Sequence, residues 1–169
     1  MLTPWEAKEA GQYIRFLARS SGKVRTGIGA ARQDVNVSVT GGTRIEIKGV
    51  AHTSWIPKLT HNEAFRQWSL LEIKKDLHKV IADKQKWSIS HVILPAEDWK
   101  RISILKQPIS ENWKMVAVNL PGFKNLLSFF TQPGRTFADE ISDRLKVIAC
   151  LEKPNMFYSE ELKPVIKSE

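Results

Sequence analysis

Residues 34–48 read Asp34-Val35-Asn36-Val37-Ser38-Val39-Thr40-Gly41-Gly42-Thr43-Arg44-Ile45-Glu46-Ile47-Lys48, and their alternation decides the local fold. Val35, Val37 and Val39 alternate with polar residues, Ile45 and Ile47 do the same, and two glycines stand between the runs. Period-two alternation interrupted by glycine is the pattern of a β-hairpin with one dry and one wet face. Loop length then sets the register. A two-residue loop would put Val39 opposite Arg44 and send the apolar sets to opposite faces. A three-residue loop over 40–42 sets Val37 against Ile45 and Val35 against Ile47, and leaves a glycine free for the left-handed region. On the polar face Asp34 would then lie across from Lys48, Asn36 from Glu46, and Ser38 from Arg44.

Working outward, Thr3 and Glu6 form a capping box with Pro4 at the first helical position, where a missing N–H costs nothing. Ala7, Ala10, Ile14, Leu17 and Ala18 recur at helical spacing as the expected buried stripe, and Gly22 supplies the stop. The following stretch, Lys23 to Gly29, is a basic loop with two glycines where backbone can approach an anion. Downstream of the hairpin, Thr60 and Glu63 repeat the capping box and predict a helix to about residue 81, with Phe65, Trp68, Leu71 and Leu77 as its apolar stripe. Lys74, Lys75 and Lys79 belong to its solvated face. Periodicity lapses around 83–87, which marks a domain boundary. Beyond it the pattern predicts a strand near 89–94, a short helix from Pro95, a strand at 115–120, a turn at Pro121-Gly122 and a helix near 137–150. The fold class is therefore α+β. An antiparallel sheet with covering helices is expected in 1–86 and a smaller α+β unit in 87–169.

The 169 residues, 42% hydrophobic and 26% charged, suit a globular chain of one domain or two small ones. No run approaches the ~18 apolar residues of a membrane span, and Glu6, Lys8 and Glu9 interrupt the start where an export signal needs unbroken apolar sequence. The expected location is cytoplasmic, with neither membrane nor DNA as a partner. The net charge of +8 is uneven, since residues 1–86 hold 15 Lys/Arg against 8 Asp/Glu and residues 87–169 hold 11 against 10. Such a balance suits RNA or nucleotide phosphates, although a lysine-rich surface gives the same count. Cys150 has no second thiol and lies in an apolar run, so it is expected to be a buried structural cysteine.

Several chemistries are absent from the sequence: G-x-x-x-x-G-K-[ST], G-x-G-x-x-G after a strand, H-E-x-x-H, paired Cys/His ligands and G-x-S-x-G. His52, His61, His78 and His91 carry no metal-ligand spacing. What remains is the wet face of the hairpin. Asp34 and Glu46 offer carboxylate oxygens suited to Mg²⁺, and Lys48, Arg44 and Arg32 offer cations suited to phosphate. The same residues would also serve simply as cross-strand charge pairs.

The string Val24-Arg25-Thr26-Gly27-Ile28-Gly29-Ala30-Ala31-Arg32-Gln33-Asp34-Val35-Asn36-Val37-Ser38, followed by Glu46-Ile47-Lys48-Gly49-Val50 and by Glu63, Arg66 and Gln67, resembles the B- and E-type subunits of glutamyl-tRNA(Gln) amidotransferase, above all the archaeal E type. The runs Val116-Ala117-Val118-Asn119-Leu120-Pro121-Gly122-Phe123 and Gln132-Pro133-Gly134-Arg135-Thr136-Phe137 look like the start of the family's inserted domain, related to one in bacterial aspartyl-tRNA synthetases. The resemblance implies that 1–86 is the later part of the family's cradle-shaped catalytic domain and 87–169 part of the insertion. It implies ATP and Mg²⁺ as cofactors, Glu-tRNA(Gln) as substrate and an asparaginase-like glutaminase as the ammonia source. Carried onto this sequence, Asp34, Glu46 and Lys48 would be catalytic, with Asp34 and Glu46 as metal ligands. Arg32 and Asn36 would bind cofactor, and Lys23 and Arg25 would touch RNA.

The sequence departs from the family at both ends, since Met1 to Pro4 corresponds to a point inside the cradle domain and the tRNA-gripping C-terminal regions have no counterpart. The 169 residues alone are accordingly expected not to catalyse amidation, and unpaired sheet edges are expected to favour self-association. A noncatalytic RNA-binding or assembly module derived from the same family is the alternative.

Overall fold

A computed structural model describes residues 3–27, 30–95, 97, 110, 114–150 and 156–161. They are of mixed α and β character with short antiparallel pairs, as the α+β reading requires. The chain divides into two compact units, Met1–Glu72 with Thr131–Gly134, and Ile73–Phe130 with Arg135–Glu169. Among the described residues no helix is long and apolar enough to cross a membrane.

In the first unit helix α1 spans Pro4–Ser20 and begins on the expected capping box, with Thr3 and Glu6 each bonding the other's backbone N–H. Its buried side is not the expected one. Gly11 is its buried residue, while Ile14 and Leu17 are exposed, as are Trp5, Tyr13 and Phe16. The reason is close approach. The Gln33 carboxamide donates to Gly11 C=O at 3.0 Å, and a Cβ on Gly11 would stand 2.7 Å from Gln33 Oε1 and 3.2 Å from Ile56 Cδ1. A helix that packs on its smallest residue turns its larger apolar residues elsewhere.

Strands β1 (Gln33–Val37) and β2 (Ile45–Val50) pair antiparallel with Val35 opposite Ile47, Asn36 opposite Glu46 and Val37 opposite Ile45. This is the register of the three-residue loop. Gly42 N–H donates to Val39 C=O at 2.9 Å across the turn, and Gly41 takes the left-handed region at φ +81°. Val37 and Val50 are buried, so the alternation delivers one dry face as read.

A 3-10 turn at Thr53–Trp55 runs into helix α2, Ile56–Val80. The start predicted at Thr60 is therefore corrected, and Thr60 is an interior residue whose hydroxyl donates to Ile56 C=O at 2.7 Å. Pro57 in the first turn was the better start signal, because a proline there sacrifices no helical hydrogen bond. Glu63 is likewise no capping residue. It accepts from Arg66 at 3.3 Å and from Gln67 at 3.0 Å. Phe65 and Trp68 of the expected apolar stripe lie exposed against each other at 5.7 Å, and Gln67 and Ser69 are buried instead.

In the second unit β3 (Ser90–Leu94) pairs antiparallel with β4 (Met115–Asn119), both close to their expected positions. The short helix expected from Pro95 falls outside the described residues. Trp87 Nε1 donates to Pro121 C=O at 2.9 Å, and the Trp87 and Phe123 rings meet at 5.9 Å beside the Pro121-Gly122 turn, where Gly122 has φ +87°. Strands β5 (Phe130–Gln132) and β6 (Arg135–Thr136) make a third small ribbon. Helix α3, Phe137–Ile148, is started by a capping box between Thr136 and Asp139. Cys150, expected buried, is exposed just past its end at φ +52°, because the final turn of α3 that leads to it, with Val147 and Ile148, is itself exposed.

The packing of α1 gives a test in which the two faces respond oppositely. Ile14→Ser and Leu17→Ser should each change unfolding free energy by less than about 0.5 kcal/mol. Gly11→Val, which drives side-chain atoms into Gln33 and Ile56, should cost about 1–3 kcal/mol in urea denaturation.

Candidate functional site

The polar residues singled out in the hairpin share one exposed face, and a bulge shapes it. Pairing slips between Gln33 and Val35, because Gln33 lies opposite Val50 while Val35 lies opposite Ile47. The expected one-to-one rung between Asp34 and Lys48 is thereby corrected. Asp34 faces the extra residue of the bulge, and its Oδ1 accepts from Gly49 N–H at 2.8 Å. Gly49 has φ +71°, a conformation that glycine adopts without a Cβ penalty. The expected rung between Ser38 and Arg44 also lies beyond the ladder, which ends at Val37 opposite Ile45.

The Arg32 side chain runs over the same glycine, since a Cβ on Gly49 would lie 3.6 Å from Arg32 Cδ and Nη1. Lys48 Nζ sits 3.1 Å from Glu46 Oε2, and Asn36 stands across from Glu46 in the ladder. The structure thus gathers Arg32 and Asp34 at Gly49, with Lys48, Glu46 and Asn36 beside them on the exposed face. Lys23 and Arg25 sit apart in sequence, exposed in the loop after α1. Gly49 was missed as a shaping residue, although a glycine directly after an alternating strand is a bulge signal.

Electrostatically, the hydrogen-bonded Glu46 carboxylate holds the Lys48 ammonium above the ordinary lysine range, and the nearby Asp34 charge adds to this. Lys48 is three-quarters exposed, so the pair is screened by solvent and is a surface feature rather than a structural prop. Among the described residues no group of three or more His, Cys, Asp or Glu side chains is placed to hold a metal ion. One oxygen of Asp34 is committed to Gly49 and one of Glu46 to Lys48, which leaves each carboxylate a second oxygen. Two such oxygens fit part of a Mg²⁺ shell completed by water and phosphate, and do not make a closed cage.

The raised lysine has a signed consequence. Its pairing favours the folded chain at pH below the ordinary lysine value, and this contribution disappears as pH climbs through the raised folded value. Glu46→Gln should therefore lower the Lys48 titration midpoint, followed by NMR of the lysine side chain, and leave the melting temperature near that of the parent.

The family model described as GatB/GatE catalytic domain matches residues 1–146. The E-type subunit of glutamyl-tRNA(Gln) amidotransferase from Methanocaldococcus jannaschii is 40% identical over 160 residues, covering 95% of this chain and 25% of that protein. The E-type subunits of Pyrobaculum aerophilum and Pyrococcus furiosus are 35% and 37% identical, over 95% and 94% of this chain and 26% and 25% of theirs. The chain spans about a quarter of the length of these curated relatives. With a family match over residues 1–146 and relatives 35–40% identical over nearly the whole chain, the chain belongs to the GatB/GatE catalytic-domain family.

Proposed function

We propose that this chain forms part of the ligase component of a tRNA-dependent amidotransferase, one that converts Glu-tRNA(Gln) to Gln-tRNA(Gln). Family membership supports this reading, and the observation that carries it is the clustering of Arg32, Asp34, Glu46 and Lys48 around one bulge. In the proposed reaction a side-chain carboxylate oxygen of the glutamyl group attacks the γ-phosphorus of ATP, and the bond to the ADP oxygen breaks. Ammonia then attacks the acyl carbon, phosphate leaves, and nitrogen gives up its one extra proton to solvent or a base.

This is positional and electrostatic work. Asp34 Oδ2 and the free oxygen of Glu46 would hold Mg²⁺, which when bound neutralises phosphate oxygens. The Gly49 N–H fixes the rotamer of Asp34 and leaves that second oxygen for the metal. Lys48, on a flexible stem beside Glu46, would neutralise a phosphate oxygen, and Arg32 would bind a second phosphate group as a planar fork. Asn36, opposite Glu46, would orient that carboxylate. Lys23 and Arg25 would meet tRNA phosphates. Residues 1–86 and 87–169 are proposed as portions of the cradle and inserted domains. The remaining ligands, the tRNA grip and the asparaginase-like glutaminase would come from outside these residues, so the 169 residues alone would not amidate. A noncatalytic RNA-binding or assembly module is the second reading, favoured by the basic excess of residues 1–86 and the exposure of Lys23 and Arg25.

The two readings separate in a full-length ligase component assembled with its glutaminase. Asp34→Ala together with Glu46→Ala should lower ATP-dependent amidation by on the order of 10²–10³ while tRNA binding persists. Activity near the parental level would sink the assignment of the acids. The second reading instead requires that tRNA affinity fall steeply with salt and with Arg25→Ala.

A further inference from the structure

The buried carboxamide of Gln67 does something that the sequence motif alone does not explain. Gln67 lies in α2 and is 6% exposed. Its Oε1 accepts from Val39 N–H at 3.2 Å, and its Nε2 donates to Val37 C=O at 3.1 Å and to Glu63 Oε1 at 3.0 Å. A neighbouring strand makes the same pair of bonds, one to the C=O of residue i and one to the N–H of residue i+2 on the same edge. The orientation of the amide is dictated by its partners. Exchanging oxygen and nitrogen would face one donor with donors and two acceptors with an oxygen.

The position of these bonds matters. The regular ladder ends at Val37 opposite Ile45, so Gln67 takes over where strand pairing stops. It fixes the peptide planes on both sides of Ser38, next to Asn36 and the rung that Asn36 shares with Glu46. The turn is built to admit it, because a Cβ on Gly42 would stand 2.7 Å from Gln67 Oε1. Glu63 in turn holds Nε2 and is itself held by Arg66, so the carboxamide enters the hairpin with its rotamer already set.

We infer that Gln67 is a positioning residue for the hairpin face: its carboxamide supplies the N–H and C=O that one residue of a neighbouring parallel strand would offer, and thereby holds β1 in the phase that keeps Asp34 and Asn36 facing the ligand with Glu46. This rests on the proposed reading of that face as a site for divalent metal with nucleotide phosphate. Gln67 touches no reacting atom and acts through β1. No other coded side chain supplies an acceptor and a donor of the carboxamide's geometry at this reach. Asn is one methylene too short, Glu keeps the acceptor and loses the donor, and Met keeps the volume and loses both.

The test uses the full-length ligase component that contains these residues and two readouts, hydrogen exchange at the Val39 amide and the dissociation constant for Mn²⁺ with ATP measured by water proton relaxation. Gln67→Met should speed Val39 exchange at least tenfold and weaken Mn²⁺–ATP binding at least fivefold, with the cooperative melt retained. Should Gln67→Met fail to fold, Gln67→Glu carries the same comparison, with Val39 still protected and binding still weakened by the carboxylate set against Val37 C=O. Unchanged Val39 exchange in Gln67→Met would overturn the inference, and so would faster exchange with undiminished binding, which would make Gln67 a strut only. Absence of Mn²⁺–ATP binding in the parent chain would sink the reading of the face itself, and the positioning role with it. That outcome is distinguishable because the parent alone reveals it.

Discussion

A ribbon of two short strands does not hold itself in water, because it leaves two edges unpaired and has only one thin apolar face to bury. Everything in the first unit follows from how β1 and β2 escape that condition. Their dry face, with Val37 and Val50, is buried. The backbone of β1 beyond the ladder is closed by the Gln67 carboxamide, and its beginning is tied to α1 by the Gln33 carboxamide on Gly11 C=O. Both contacts are side-chain amides bonded to backbone. Each needs a glycine to let it close, Gly42 at one end and Gly11 at the other.

The ribbon of the second unit shows the contrast. Val92 and Ile93 of β3 and Val116 and Val118 of β4 each remain more than half exposed, Ile93, Val116 and Val118 on one face and Val92 on the other. A hydrogen-bonded ladder is present there without the burial that stabilises one, since apolar area left in water contributes nothing to folding. The unit buries Ile73, Leu126 and Ala138 elsewhere, and adds the Trp87 bond to Pro121, the stacked rings of Phe123 and Phe137 at 6.4 Å, and the capping box of α3.

The same division of labour makes the wet face of β1 and β2 suited to polar chemistry. A rigid dry side lets the opposite side carry charges without having to stabilise the fold. The bulge adds what a regular ladder lacks, because it aims the Gly49 N–H at Asp34 and brings Arg32 over the glycine. Lys48 and Glu46, both on β2 and two residues apart, face the same way for the reason that the pleat repeats every second residue.

What the sequence by itself determined is everything governed by short-range periodicity and sterics. The α+β class, the three-residue loop with its left-handed glycine, the rungs from Val35 to Val37, the capping box of α1 and the positions of β3 and β4 all follow from neighbours within a few residues. Membership of the family was legible for a related reason, because the resemblance lies in short runs of neighbouring residues such as Val24 to Ser38. Tertiary structure decided the rest. Periodicity names an apolar stripe on α1 without saying whether a flat, small-residue face fits the hairpin more closely, and Gly11 won over Ile14 and Leu17 on approach distance. Thr60 and Glu63 satisfied a local rule, but the 3-10 turn delivered the chain to Ile56 already helical, and Glu63 was drawn into holding Gln67 and Arg66. The partnership of Gln67 with residues 28 and 30 positions earlier in the chain has no local signal, because a carboxamide becomes a strand's substitute only when folding brings an open edge to it.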